Sequence, residues 1–450
     1  MVPHQSMNFE KALKVVETAI QEHEHRHLND VELSILRGSW EGLTYDDMAK
    51  NSLYEASYLK GDVGHKFWKL LSDALGESVS KRNFRAVLER SQSRFSYKDA
   101  TQTQPVDLVY DFNYVERPPI ESLCTEEISM PGALLRIKAP PKMGKTELMS
   151  KLINDADNKG YRTVDLKLRL AEETDFENLD KFLQWFCSSI TQMLEEKPDN
   201  KVNEHWNKQL GNSKLKCTAY FQDYVLNEDK VLNEDKAPLV LGLDDVDQVY
   251  QYPEIAGDFF GMLRSWHEKA KTRGIWQKLR VILVHTEEYT LLDINQSPFN
   301  VGTPIELPEF SPAQVKDLAK RHGLDWDTAQ VEQLMEMVGG HPYLVREALE
   351  HVKRWGMTLE DLLKTAPTKA GIYGDLLQEH LWNLQRNRQK HPKLDAGLKQ
   401  VVTADCPVQL DWDLAWKLDE LGLVKRKGNG VEPRCKLYRL YFQEHLKDTQ

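Results

Sequence analysis

Apolar positions recur at helical spacing towards both ends of this 450-residue chain and alternate between strand-like and helical runs in the middle. Near the start, Phe9, Leu13, Val16 and Ile20 share one helix face, and residues 8 to about 90 are predicted to be wholly helical. Within them Thr44-Tyr45-Asp46-Asp47 has the make-up of a capped helix start. After a turn at Asn51-Ser52, a longer helix is predicted to carry Phe67, Trp68, Leu71 and Leu75 on its buried face, which completes a helix-turn-helix outline. Large apolar residues then become sparse, and 91–111 reads as a linker.

Apolar runs follow at residues 134–137, 163–170, 239–243 and 280–284, alternating with helical segments. This alternation predicts an α/β fold built on a mostly parallel sheet covered by helices. After about residue 307 the pattern turns helical again. Ser311 is placed to cap a helix with Pro312 in its first turn and Gln314 closing a capping box, and Phe310 is placed to pack on Val315. The next helix has Val331, Leu334, Met335 and Val338 on one face, ends at Gly339-Gly340, and gives way to another starting at Pro342.

Further on, 411–421 reads as a helix, followed by a strand at 423–427, a turn at Asn429-Gly430 and a second strand through Cys435-Lys436-Leu437-Tyr438, a winged-helix outline. The expected organisation is a helix-turn-helix domain at 1–90, a linker at 91–111, an α/β core at 112–306, a helical lid at 307–369 and a winged helix at 370–450. A tandem repeat, Val225-Leu226-Asn227-Glu228-Asp229-Lys230 and then Val231-Leu232-Asn233-Glu234-Asp235-Lys236, reads as a surface insertion. Six residues turn a helix by about 600°, so the two copies cannot pack alike.

Composition narrows the function classes. With 40% hydrophobic and 9% aromatic residues the chain can bury real cores, and a net charge of −11 argues against a uniformly basic nucleic-acid coat. Five cysteines are scattered and nowhere spaced for zinc. The sequence has no apolar stretch long enough to span a bilayer and does not open like a signal peptide, so a cytoplasmic location and no membrane partner are expected.

The chemistry concentrates in two segments. Ala139-Pro140-Pro141-Lys142-Met143-Gly144-Lys145-Thr146 lies between an apolar run and a helical pattern, the context of a phosphate-binding loop. Loop N–H groups and the helix N-terminus would face the phosphates. Lys145 would reach the β- and γ-phosphates, and Thr146 would place its hydroxyl on Mg²⁺. The second segment, Pro238-Leu239-Val240-Leu241-Gly242-Leu243-Asp244-Asp245, ends a buried strand in two carboxylates: Asp244 for the same ion and Asp245 to position water. Ala139 stands where glycine is usual, which is workable if the loop enters with negative φ. Asp245 is one methylene shorter than the usual glutamate, which predicts slow hydrolysis.

With these segments in place, the chain from about Phe112 to Leu446 resembles the signalling P-loop ATPases of the STAND group, in particular the AAA-like branch common in cyanobacteria. The further marks are Tyr114-Val115-Glu116-Arg117-Pro118 before the first strand, Val284-His285-Thr286-Glu287 after a later one, and Gly340-His341-Pro342. Residues 28 to 90 resemble the helix-turn-helix domain found in von Willebrand and MoxR-associated proteins.

The resemblance implies ATP with Mg²⁺ as the ligand. It places Tyr114, Val115 and Arg117 beside the adenine with Pro342 packing on the base from the lid. Met143, Gly144, Lys145, Thr146 and Glu147 then belong to the phosphate site, and Thr286 or His285 stands where a γ-phosphate sensor is expected. Asp245 and Lys145 are the catalytic candidates, and Thr146 and Asp244 the metal ligands.

Three functions remain open at this point. The first is an ATP-driven switch engaging a protein partner, with nucleotide-dependent homo-oligomers among its outcomes. The second is a DNA-binding regulator acting through the N-terminal domain, where Lys81, Arg82, Arg85, Arg90 and Arg94 form a basic run. The third is a non-hydrolysing scaffold. Arg264 is read as a structural surface residue, with an arginine-finger role as the alternative.

Overall fold

The computed structural model describes scattered positions between residues 12 and 28, then 30–40, 43–50, 58–85, 87–88, 114–194, 201–227, 237–286, 298–388 and 391–446. The chain divides into two compact units, Met1–Val109 and Tyr110–Gln450.

Helices Asp30–Trp40, Tyr45–Lys50 and His65–Leu75 build the first unit. Phe67, Trp68, Leu71 and Leu75 are buried in its core together with Val16 and Ile20, as their spacing predicts. The Thr44 hydroxyl accepts the Asp47 N–H at 3.2 Å, and Asp47 accepts the Thr44 hydroxyl in return, so the predicted cap is present. Part of the basic run is spoken for. Lys81 donates to the Leu43 carbonyl and lies 4.3 Å over the Tyr45 ring, and Arg85 donates to the Trp40 carbonyl and lies 4.5 Å over the Trp40 ring. Phe9, the turn at Asn51-Ser52, Arg90, Arg94 and the 91–111 linker lie outside the described residues.

The second unit is organised by five parallel strands: β1 (Leu134–Lys138), β2 (Arg162–Lys167), β3 (Leu239–Asp244), β4 (Leu279–His285) and β5 (Thr303–Glu306), in the order β2-β3-β4-β1-β5. Every residue of β3 and β4 is buried, because helices cover both faces of a parallel sheet. The strand predicted at 163–170 ends at Lys167, and Leu168–Leu170 form a 3₁₀ turn. β5 was not expected, since only Ile305 of its four residues is buried and Pro304 interrupts any apolar run.

The tandem repeat needs correction. Val225 and Leu226, in the first copy, are buried in the core of the α/β sheet at the end of a π-helical turn Phe221–Leu226, and Arg162 of β2 donates to the Val225 carbonyl, so the chain is not a surface insertion there. Residues 228–236 lie outside the described residues.

Helices Pro312–Arg321, Thr328–Val338 and Pro342–Trp355 follow the sheet, with the predicted capping box between Ser311 and Gln314 and with Gly339 ending the second helix at φ +64°. They share one apolar core with the last helices, Val331 and Leu334 lying in the same cluster as Leu437 and Tyr441. The terminal hairpin differs from expectation. Strands β6 (Val424–Lys427) and β7 (Gly430–Pro433) pair antiparallel, but Cys435 starts a helix, Lys436–His445. Buried Leu437, Tyr438, Tyr441 and Phe442 recur at helical spacing, and this longer period overrides the short alternation seen in four residues.

Candidate nucleotide site

The phosphate loop connects the C-terminal end of β1 to helix Lys145–Asp157. It enters through Ala139, which is buried in the same apolar cluster as Ile137, Met143 and Leu148. Among the described residues the only non-glycine positions with positive φ are Lys142, at +62°, and Asp245, at +55°. Ala139 is therefore accommodated as anticipated, and the left-handed bends fall on Lys142 and on Gly144, at φ +90°. At Gly144 an added Cβ would lie 3.1 Å from an Arg117 nitrogen.

Helix Lys145–Asp157 docks on β3 where Gly242 offers no side chain. A Cβ there would sit 2.7 Å from Ile153 Cδ1 and 2.9 Å from Met149 Sδ. That close approach brings the helix start to the strand end, where the Thr146 hydroxyl donates to Asp244 Oδ2 at 2.7 Å. The Asp245 N–H donates to the other oxygen of Asp244 at 2.9 Å. The Lys145 ammonium donates to the carbonyls of Ala139 and Pro140 at 2.8 and 3.0 Å. Burial lowers the pKa of Lys145, and Asp247, Asp244, Asp245 and Glu147 oppose that shift. The Asp245 carboxyl is pushed up by burial and then by Asp244, although Arg169 pairs with it at 2.9 Å.

The residues before β1 fall in three places. The Tyr114 hydroxyl donates to Glu121 at 2.7 Å, Val115 is buried in the core of the helices that follow the sheet, and Arg117 lies beneath the loop and donates to the Met143 carbonyl at 2.7 Å. Met143 is itself buried in the core, so its backbone is what the loop offers. The helix Pro312–Arg321 straps the same segment, since Arg321 donates to the Tyr114 carbonyl at 2.8 Å. Pro342 is buried at the first turn of its helix, and Glu147 faces Arg346 of that helix at 3.8 Å.

Two residues that local patterns did not single out complete the constellation. Asp247 accepts the Thr286 N–H through both carboxylate oxygens, at 3.1 and 2.9 Å, and so ties the end of β4 to the turn after β3. Arg169 approaches from the turn after β2. Glu287 lies outside the described residues, and Arg264 pairs with Glu268 on its own helix at 2.9 Å.

The C-terminal segments also reach the loop. Lys142 pairs with Glu379 of helix Gly374–Asn387 at 3.1 Å and lies 4.7 Å over the Tyr343 ring. At Gly422 a Cβ would come within 3.2 Å of Pro140. In the hairpin, Lys425 and Lys427 pair with Glu432 at 3.8 and 3.0 Å, and Arg426 pairs with Asp419 at 3.5 Å.

Residues 102–444 match the family model of the AAA-like domain, and residues 7–91 match that of the vWA-MoxR associated protein N-terminal HTH. Among solved structures, a Walker-type ATPase of Pyrococcus abyssi is 14% identical with a TM-score of 0.52, over 76% of this chain and 99% of that one. The ORC2 protein of Aeropyrum pernix, solved in ADPNP-ADP complexes, is 17% identical with a TM-score of 0.40, over 75% and 96%. A STAND protein with a tetratricopeptide repeat sensor from Pyrococcus horikoshii is 13% identical with a TM-score of 0.33, over 74% and 42%. At 14% identity the likeness to the Walker-type ATPase is one of fold. No curated protein matches the chain. Among the described residues no helix is long and apolar enough to cross a membrane.

Proposed function

This chain belongs to the AAA-like domain family, and we propose that it is an ATP-binding, slowly hydrolysing switch whose terminal segments engage a protein partner. The observation that carries the reading is that one loop serves both a phosphate site and the joint with the C-terminal helices: Lys142, three residues before Lys145, pairs with Glu379. A ligand on that loop whose contacts differ between arrangements that keep and break the joint shifts the balance between them, which is the requirement for a switch.

In this reading the N–H groups from Met143 to Thr146 hold the phosphates at the helix N-terminus. Lys145 exchanges the Ala139 and Pro140 carbonyls for β- and γ-phosphate oxygens. Thr146 and Asp244 are two hard oxygen donors already brought together, the donor chemistry Mg²⁺ takes, and they would hold the ion. When bound, Mg²⁺ supplies positive charge to the phosphate oxygens. Asp245 orients a water and accepts its proton while the water oxygen bonds to the γ-phosphorus and the bond to the β–γ bridging oxygen breaks. The products are ADP and inorganic phosphate, and the proton passes on to solvent. Tyr114, Val115, Arg117 and Pro342 frame the adenine, and Thr286, held by Asp247, senses the γ-phosphate.

The test is hydrogen exchange on the purified chain with and without Mg-ATP. Protection of helix Pro342–Trp355 and of the Gly374–Asn387 helix is expected, and it disappears in Lys145→Ala. Equal protection in that variant refutes the switch.

A DNA-binding regulator is the second reading, favoured by the match of residues 7–91 to a helix-turn-helix domain. Against it, Lys81 and Arg85 fold back on their own domain and the three cations of β6 are paired within the C-terminal segment, so these five charges are already engaged. Affinity for duplex DNA measured against salt decides the matter, and no binding at low salt eliminates it.

A further inference from the structure

We propose that Cys187 and Cys217 are a redox pair, a dithiol in this structure that a hydroperoxide closes into a disulfide stapling two helices of the connection between β2 and β3.

The fold, and not the spacing in sequence, brings the two residues together. Cys187 lies on helix Leu179–Leu194 and Cys217 on helix Ser213–Tyr220. Their sulfur atoms are 3.5 Å apart, and both side chains are fully buried in the apolar core that Leu241 and Leu243 of β3 also join. Burial alone says little, because free cysteine is among the most buried residue types. Contact between the two thiols is the informative observation.

A second tie keeps the thiols facing each other. Thr191, four residues after Cys187, donates its hydroxyl proton to the Cys187 carbonyl at 2.8 Å and lies 2.7 Å from the hydroxyl of Tyr220, three residues after Cys217. With the Thr191 proton spent on the carbonyl, Tyr220 is the donor. Residues three and four apart share a helix face, so the thiol contact and this hydrogen bond are neighbouring rungs between the same two helices. Sliding the helices apart breaks a buried hydrogen bond. Sulfurs in a disulfide are about 2.05 Å apart, so the pair needs to close by roughly 1.5 Å, which small side-chain rotations cover with both helices in place.

The chemistry balances with a hydroperoxide as the oxidant. One thiolate attacks the peroxide, its S–O bond forms as the O–O bond breaks, and the departing oxygen takes up the first thiol's proton and leaves as an alcohol, or as water from hydrogen peroxide. The second sulfur then displaces the oxygen of the sulfenic acid. The S–S bond forms, the S–O bond breaks, and that oxygen leaves as water with the second thiol's proton. Two thiols lose two electrons and one peroxide gains them.

Burial sets the pace of this reaction. Burial first, and then the contact with Cys217, pushes the Cys187 thiol well above its ordinary value, so thiolate is scarce and oxidation is slow. Helix Ser213–Tyr220 is only 8 residues long, and Leu210 in the turn before it is 94% exposed. A helix that short is held by packing alone, so its opening is the route by which peroxide reaches the pair.

The experiment treats the full-length chain with hydrogen peroxide in the absence of denaturant. A Cys406→Ser background removes the exposed thiol, which reacts first. Remaining thiols are blocked after denaturation and the digested chain is weighed, with apparent melting temperature read before and after oxidation. A peptide linking Cys187 to Cys217 is expected, together with a rise in melting temperature of about 3 °C or more, and dithiothreitol reverses both. Cys187→Ser and Cys217→Ser each remove the rise, while the mass reading itself needs no substitution in the core. Both cysteines recovered as free thiols or as sulfinic acids overturn the proposal. So does a linkage that forms only in urea, or a melting temperature that falls on oxidation.

Discussion

The Thr146 hydroxyl donates to Asp244 at 2.7 Å across 98 positions of sequence, and this bond joins the phosphate-loop helix to the strand that faces it. Both oxygens point to one place because the helix start and the strand end are each rigid elements. If they share Mg²⁺, Thr146→Ala and Asp244→Asn each lower nucleotide affinity by about tenfold or more in Mg²⁺, the scale of losing a metal-site partner, and change it little in EDTA. Calorimetry under the two conditions is the measurement. Equal losses with and without Mg²⁺ contradict the assignment.

Gly242 is the packing condition for that bond. A valine side chain there must displace Ile153 and Met149 from the face of β3. Overpacking of this kind costs about 1–3 kcal/mol. Gly242→Val is expected to lower unfolding free energy by that amount in urea titrations and to weaken nucleotide binding, because the helix carrying Thr146 is pushed off the strand carrying Asp244.

Lys142 and Glu379 join the loop to the C-terminal helices through side chains that are 35% and 53% exposed. Such a pair is worth less than about 1 kcal/mol. Glu379→Gln is therefore expected to leave global stability nearly unchanged and to speed amide exchange locally in helix Gly374–Asn387. Slowed exchange there would count against a joint at this point.

Two histidines give the second unit an acid sensitivity. Burial above all, with Arg434 next, lowers His341 to about 3, and burial, opposed by Glu379, lowers His380 to about 4. Unfolded histidine titrates near 6.5. Between pH 6.5 and those folded values the unfolded chain binds protons that the folded one refuses, so stability is highest above 6.5 and falls as pH drops. His380 also hydrogen-bonds Tyr438 at 2.9 Å. His380→Gln, which keeps a polar partner for Tyr438 without the titration, is expected to flatten the fall of melting temperature between pH 6.5 and 4.

What could be read ahead of the structure were features decided within a few residues. The Ser311 and Gln314 box, the stop at Gly339 and the burial of Phe67, Trp68, Leu71 and Leu75 depend on caps and on helical period alone. The Ala139 entry to the loop was legible for the same reason, since it required only an ordinary backbone at that point. β5 was not legible because an edge strand pairing only with β1 needs a single buried side chain, Ile305. The helix after Cys435 is hidden in four residues, which cannot separate the two periods, whereas the run through Phe442 can.

Periodicity, turn chemistry and the two short phosphate-site segments were thus enough to indicate the α/β class, four of the five strands of the sheet and Lys145, Thr146, Asp244 and Asp245 as the residues to watch. Which side chains would meet them depended on register and docking: β2 beside β3 brings Arg169 to Asp245, β4 beside β3 brings Thr286 to Asp247, and the folded C-terminal helices bring Glu379 to Lys142. Those partners are tens to hundreds of residues apart, and sheet register and apolar docking that involve the whole unit select them. A local window of sequence holds no trace of a contact chosen in that way.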